Sequence, residues 1–326
     1  MYMNLNLIFF SMTLFSVFFT ISSTNWMTIW LGLEINVLFF IPLILTNANT
    51  NSFESTMIYF IMQAIASSIF IFFNIFNSLL NSFILTTMLS ISMLIPMLLK
   101  AASSPFHNWF VLILTKSKWS SCFLLMTLQK IIPLFMISML TKHNLFLMMF
   151  SMLNISVGSI GGINQSMLKY IIAFSSINHT GWLIISTTIK NIISIKYMMI
   201  YSIMNLFLIF NFKIKNMMHL NQISKVNYLL LLMIMLSLAG LPPLMGFIPK
   251  WLVIESTLYK MNFKLILFIT ITSLLSTLYY LRMSMTPTLF YFLKMKWSNN
   301  LVKQNYIPSL MILTSFTILI SNKLIN

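Results

Sequence analysis

Runs of about twenty apolar residues follow one another along almost the whole chain, separated by connections as short as NANTNSFE (47–54) and KMKWSNNLVKQN (294–305). A helix of that length crosses the ~30 Å hydrocarbon core of a bilayer, and hydrocarbon admits only backbones that satisfy their own hydrogen bonds. Counting the runs predicts eleven helices, near residues 3–22, 26–45, 56–76, 83–115, 120–141, 145–163, 167–188, 192–211, 226–259, 264–281 and 307–322. The fold class expected is therefore an all-α polytopic membrane protein, and no loop is long enough for a soluble domain.

Composition agrees. Hydrophobic residues make up 59% of the chain and charged residues 7%, against roughly a quarter charged in soluble domains. Asp is absent, and Glu34, Glu54 and Glu255 are the only acids. The formal net charge is +16, but the lysines stand singly between apolar runs, a pattern of membrane loops rather than of a nucleic-acid patch. A single cysteine, Cys122, excludes an intrachain disulfide, a CxxC zinc site and a four-cysteine iron–sulfur cluster. The N-terminal MYMNLNLIFF has no basic n-region and its apolar run is long enough to span, so it reads as a first helix and not a cleaved signal. Abundant Phe, Ile, Asn, Lys, Tyr and Met beside a single Arg fit an AT-rich, organellar gene.

Ten basic residues fall in loops on the N-terminal side of the predicted spans and six on the other, which predicts that the N-terminus faces the cytoplasm or matrix.

Two apolar runs are too long. Residues 83–115 as one straight helix would reach about 50 Å at ~1.5 Å per residue, and residues 226–259 are as long. Each carries its own break: KAASSP around Pro105 in the first, and GLPPLMGFIP with Gly240, Pro242, Pro243 and Pro249 in the second. They are the fourth and ninth predicted helices. An interval of five reverses the direction of crossing, so matching breaks point to two inverted five-helix repeats around a midplane ion site. The repeats would cover about residues 1–142 and 143–285, with a C-terminal helix at about 305–324. The alternative for either run is two short re-entrant pieces, or a tilted helix with an interfacial tail.

Three basic residues remain inside the spans: Lys100 just before the first break, Lys130 near the middle of the fifth helix and Lys250 just after Pro249. Glu34 lies near the middle of the second helix. Insertion scales charge roughly 2.5–3.5 kcal/mol for such a residue at a helix centre, so four together point to an internal polar path. A structural ion pair would account for one Glu and one Lys, not three lysines. Burial disfavours an ammonium and an adjacent carboxylate favours it, so making or breaking a Glu–Lys pair switches a lysine between holding and releasing a proton. A pair at ~4 Å is worth about 4 kcal/mol at an effective dielectric near 20. Moving one charge against 100 mV costs about 2.3 kcal/mol, so one pair is of the right size to drive a proton across an energised membrane.

His107 and His179 are candidate relays, since imidazole titrates near neutrality; a buried structural histidine is the alternative for each. Glu54 is expected in a loop and Glu255 at the interface. GSIGGI (158–163) lacks dinucleotide-fingerprint spacing. No P-loop, zinc motif or haem-type cysteine pair appears, so no metal or cofactor site is expected on this chain.

At these residues WLGLEIN (30–36), LLKAASSPFHNWF (98–110), LQKIIPLF (128–135), AFSSINHTGW (173–182) and LAGLPPLMGFIPKW (238–251) closely resemble the signatures of the chain 2 family of NADH:ubiquinone oxidoreductase (respiratory complex I), in that family's order and over most of the chain. The resemblance implies an antiporter-like, proton-translocating subunit, multi-pass in the mitochondrial inner membrane with its N-terminus in the matrix. It matches Glu34 and Lys100 to the family's coupled pair, Lys130 to its central lysine and Lys250 to the lysine of the second broken helix. FMN, iron–sulfur clusters and ubiquinone are then expected on other subunits. The expected partners are membrane-arm subunits, adjacent antiporter-like and small ones among them, together with lipids. Two departures stand out. Many relatives have Gly or Ala at one or both of the Ser103 and Ser104 positions, so hydroxyl hydration of a stiffer break is expected here. QSMLKY (165–170) lacks the acidic or second basic residue common in related subunits, which leaves Lys169 without a relay role. A stand-alone cation/proton antiporter and a non-conducting spacer of the same fold are the competing readings.

Overall fold

The computed structural model describes residues 2–45, 50–79, 83–140, 144–214, 216–220, 222, 228–242, 244–259 and 263–295. These residues form thirteen helical segments and, among them, no strand: α1 (Tyr2–Ser22), α2 (Trp26–Ile44), α3 (Thr50–Leu79), α4 (Phe83–Lys100), α5 (Asn108–Lys116), α6 (Trp119–Met126), α7 (Leu128–Met139), α8 (Asn144–Ile163), α9 (Leu168–Ile189), α10 (Asn191–Ile214), α11 (Tyr228–Ala239), α12 (Phe247–Tyr259) and α13 (Phe263–Met295). Among the described residues, seven stretches are long and apolar enough to cross a membrane. The C-terminal helix expected near 307–322 lies outside the described residues.

The helices expose apolar faces and bury polar side chains within a largely apolar core. Phe18, Leu38, Leu145 and Leu267 are exposed, while Ser16, Ser55, Asn178 and Thr180 are buried. Interior hydroxyls are satisfied cheaply: Ser16, Thr20, Ser55 and Thr180 each donate to the carbonyl three residues earlier on their own helix. Such bonds let a polar side chain sit in hydrocarbon without a partner on another helix.

Two compact units divide the chain. The first comprises residues 1–154 and 183–188. In it α1 packs on α2 and α7, α3 lies against α2, α4 and α5, and α7 meets α4 and α6. Glu54, expected in a loop, lies on α3 just past its first turn and pairs with Lys116 at the end of α5. A base in the last turn of a helix complements the macrodipole.

The second unit comprises residues 155–182 and 189–326. Here α11 packs on α13, and α10 meets α11 and α12. Leu168 N donates to Met218 O and Leu220 N to Ser166 O, while Arg282 Nη1 donates to Ile163 O at 2.9 Å. The ends of α8 and α10, the start of α9 and the Arg282 turn of α13 therefore share one end of this unit. The glycines of GSIGGI are packing contacts. A Cβ on Gly158 would fall 2.5 Å from the Asn178 backbone nitrogen, and one on Gly161 2.4 Å from the Phe174 ring. Close helix approach of this kind depends on small residues.

Gly158→Ala is expected to force α8 away from α9 at a cost of about 1–3 kcal/mol. A fall in the thermal midpoint of the detergent-extracted protein checks it. A conservative change on the lipid-facing surface, Leu145→Ile, is expected to leave the midpoint unchanged.

Candidate functional site

Both over-long runs are broken, and both first halves end alike. In α4, Ser103 N donates to Leu98 O and Ala102 N to Leu99 O, with Ala102 at φ 57°. In α11, Leu241 N donates to Leu236 O and Gly240 N to Ser237 O, with Gly240 at φ +81°. This is the C-terminal motif in which one left-handed residue turns the chain and recovers two otherwise orphaned carbonyls.

In the first unit Lys100 is the last residue of α4. It is 5% exposed, and no described residue hydrogen-bonds its Nζ. Glu34, half-buried on α2, acts on it through its charge. The two do not form a closed ion pair, since Glu54–Lys116 is the one pair within 4.0 Å among the described residues. Pro105 follows in the turn between α4 and α5 after a cis peptide bond. His107 stands at the N-cap of α5, half-buried, with Nδ1 3.2 Å from Pro105 O. Two hydrogen bonds from the serine positions close this turn. Ser103 Oγ donates to Leu98 O at 2.8 Å, and Ser104 N donates to Asn154 Oδ1.

Lys130 stands near the middle of one membrane-length stretch, Trp119–Met139. That stretch has a one-residue interruption at Thr127 (φ −114°, ψ −77°), so Lys130 also lies in the first turn of α7. Pro133 follows within α7, where it withholds a donor from the carbonyl of Gln129. Lys130 is 2% exposed, with Nζ 4.8 Å from the centroid of the Phe110 ring on α5. A ring face within about 6 Å stabilises an ammonium. Beside it Gln129 is clamped. Asn36 Nδ2 donates to Gln129 Oε1 at 2.9 Å, Gln129 Nε2 returns a bond to Asn36 Oδ1 at 3.1 Å, and Tyr59 Oη donates to Gln129 Oε1 at 3.2 Å. The helix of Glu34 is thereby joined to that of Lys130.

In the second unit Lys250 is buried in the first turn of α12, and its Nζ donates to Ala239 O at 2.8 Å. Ala239 is the last residue of α11, so the ammonium occupies the negative end of the broken helix. Its Nζ also lies 5.8 Å from the Trp182 ring centroid. Gly240 and Pro242 lie in the break, and Pro243 lies outside the described residues. Pro249 breaks nothing: it sits in the first turn of α12, where a missing N–H costs no helical bond. His179 is buried on α9, with Nδ1 2.8 Å from Tyr197 Oη.

Sequence reasoning missed Phe110, Asn154, Trp182 and the Asn36–Gln129 clamp. Gln129 was available as a signal, being an amide beside an intramembrane lysine. The aromatic partners were not, because nothing distinguishes them from ordinary apolar filling.

Residues 23–276 match the family described as NADH:quinone oxidoreductase/Mrp antiporter, TM. The chain belongs to that family of polytopic antiporter-like membrane proteins. It is 35% identical to NADH-ubiquinone oxidoreductase chain 2 of Locusta migratoria, over 96% of this chain and 94% of the relative. It is 44% identical to the chain 2 of Aedes aegypti, over 90% and 88%. Its fold is similar to a chain in respiratory complex I from Thermus thermophilus, with TM-score 0.80, 19% identity, and 95% of this chain and 75% of that one covered. A chain of the Mrp complex from Dietzia sp. is also similar, with TM-score 0.76, 16% identity, and coverage of 83% and 58%.

Substitutions at the two left-handed positions are expected to act in opposite directions. Ala102→Gly relieves a left-handed non-glycine residue and raises stability by about 1 kcal/mol, while Gly240→Ala introduces the same strain and lowers it by as much or more. A Cβ at Gly240 would also meet Lys250 Cδ at 2.8 Å and push the ammonium off Ala239. Thermal midpoints of the two variants in detergent, measured against the parent, check both signs.

Proposed function

We propose that this chain is a proton-translocating membrane-arm subunit of a NADH:ubiquinone oxidoreductase, multi-pass in the mitochondrial inner membrane and mitochondrially encoded. The observation that carries the reading is that all three buried lysines stand at helix interruptions: Lys100 ends α4, Lys130 opens α7 after Thr127, and Lys250 opens α12. An interrupted helix exposes backbone dipoles to a buried charge and gives water a place to enter. Two relatives named as chain 2 of that oxidoreductase, similar over nearly their whole lengths, supply the enzyme.

In this reading electron transfer occurs elsewhere, and FMN, the iron–sulfur clusters and ubiquinone belong to other subunits. Conformational and charge shifts arriving from those subunits change the distance between Glu34 and Lys100. A proton then steps among Lys100, Lys130 and Lys250, with His107 and His179 as relays. Eleven spans in two inverted repeats, about 1–142 and 143–285, with the helix at about 305–324 added, are the architecture proposed. The identical endings of α4 and α11 support it. The ten-to-six distribution of basic residues supports a matrix-side N-terminus. Adjacent antiporter-like and small membrane subunits, and lipids, cover the apolar exterior.

Two measurements test this. On a native gel of mildly solubilised membranes, the chain is expected to co-migrate with NADH dehydrogenase activity; running alone would favour a stand-alone cation/proton antiporter. In vesicles carrying the assembled complex, Lys130→Ala is expected to slow NADH-driven proton uptake about tenfold or more, while the native band keeps its size. Unchanged proton uptake per NADH in an assembled Lys130→Ala complex would make the subunit a spacer.

A further inference from the structure

Lys130 carries one charge at the tip of a flexible side chain, and it lies in the first turn after Thr127, where the backbone leaves the helix. The rotation of α7 is therefore not inherited turn for turn from α6. Side-chain contacts around the lysine set it instead, and they come from α2, α3 and α5 of the first unit. On one side of Lys130 is its chain neighbour Gln129. The amides of Asn36 and Gln129 exchange a pair of hydrogen bonds, at 2.9 and 3.1 Å, and Tyr59 Oη donates to the same Gln129 oxygen at 3.2 Å. An amide oxygen has two lone pairs, so this acceptor is filled.

On the other side is the Phe110 ring, 4.8 Å from the ammonium. Phe110 meets Trp109 edge to face at 5.9 Å, Trp109 meets Tyr59 at 6.4 Å, and Tyr59 meets Phe40 at 5.2 Å. Tyr59 thus serves both sides. Its hydroxyl holds Gln129, and its ring backs, through Trp109, the ring under the ammonium. Asn36 and Phe40 lie one turn apart on α2, and both meet this arrangement. Asn36, Phe40, Tyr59, Trp109 and Phe110 are all at most 5% exposed. Two apolar side chains of the same shape would hold the helices about as well as the amide pair does. What the amides add is direction, because their reciprocal bonds close at one rotation of α7 only.

We propose that Gln129, held by Asn36 and Tyr59, is the positioning residue of Lys130: it sets the rotation of the first turn of α7 so that the ammonium lies over Phe110, and proton transfer through Lys130 depends on it. A reacting group displaced by about 1 Å from its working geometry can lose roughly a hundredfold in rate, so a clamp one residue away controls the step without touching the proton. The inference rests on the proton-translocating reading above.

The test uses the assembled complex in vesicles and exchanges the two side-chain lengths. Gln129→Asn shortens one amide by a methylene and opens the pair. Asn36→Gln added to it restores the combined reach with no change of charge. NADH-driven proton uptake is expected to slow about tenfold in Gln129→Asn and to return to within about twofold of the parent in the double variant. The native band and the KM for NADH are expected to stay unchanged in both. A Gln129→Asn complex that assembles and pumps at the parent rate would overturn the proposal, as would a double variant as slow as the single one. If Gln129→Asn does not assemble, Tyr59→Phe decides, since it removes one hydroxyl and keeps the ring contacts. Uptake slowed about threefold is then expected, and the parent rate overturns the proposal. Lys130→Ala measured alongside separates the clamp from the reading beneath it. If that variant leaves uptake unchanged, the subunit does not conduct. Density for the clamp variant that assembles then still shows whether Lys130 Nζ has left the Phe110 ring, as expected, or stayed on it, which overturns the positioning role.

Discussion

A helix in hydrocarbon hydrogen-bonds its own backbone and so has nothing to offer a buried ammonium. Breaking the helix releases carbonyls, but each one left bare costs several kcal/mol in the bilayer core. The chain meets both demands with one device. A left-handed residue, Ala102 or Gly240, folds the backbone back so that the carbonyls of residues 98 and 99, or 236 and 237, are recovered. The last carbonyl of α11, that of Ala239, is the one that receives Lys250. There the gap in the helix is closed by a charge.

The three lysines are not equivalent in this respect. Lys100 sits at the C-terminus of α4, and Lys250 reaches the C-terminus of α11, where the macrodipole attracts a cation. Lys130 stands in the first turn of α7, where the macrodipole repels one, and its ammonium rests on the Phe110 ring. The dipole surroundings of the three ammoniums therefore differ. The Asn36–Gln129 clamp adds a mechanical link within the first unit. It ties α2, which carries Glu34, to the turn that carries Lys130, so displacement of one reaches the other through two hydrogen bonds.

Much of this was legible because hydrocarbon makes charges and breaks conspicuous. Lys100, Pro105 and Gly240 stood out against apolar surroundings, and Pro and Gly inside 83–115 and 226–259 marked the interruptions; length alone did not, since α13 runs 33 residues unbroken. What stayed hidden depended on partners remote in sequence. The break at Thr127 has no glycine or proline of its own to announce it. Pro249 looked like a breaker, but a proline is neutral in a first turn, and only the start of α12 at Phe247 reveals that it occupies one. Ser103 and Ser104 suggested a wetter break. What the residue types did not reveal is that Ser103 Oγ bonds Leu98 O and that the Ser104 backbone N–H bonds Asn154 Oδ1.

The same accounting separates polar residues that are structural from those free to act. Along α9 the hydroxyls of Ser175, Ser176, Thr180, Ser186, Thr187 and Thr188 all turn back to the carbonyl three residues earlier. They lower the cost of the helix in hydrocarbon. A tyrosine cannot do this, because its hydroxyl is held too far from its own backbone, and an asparagine has both a donor and an acceptor to place. Tyr201, Tyr279, Tyr280 and Asn178 are therefore among the groups in the second unit whose polarity must be met by neighbouring helices rather than by their own, and three separate helices bring them together.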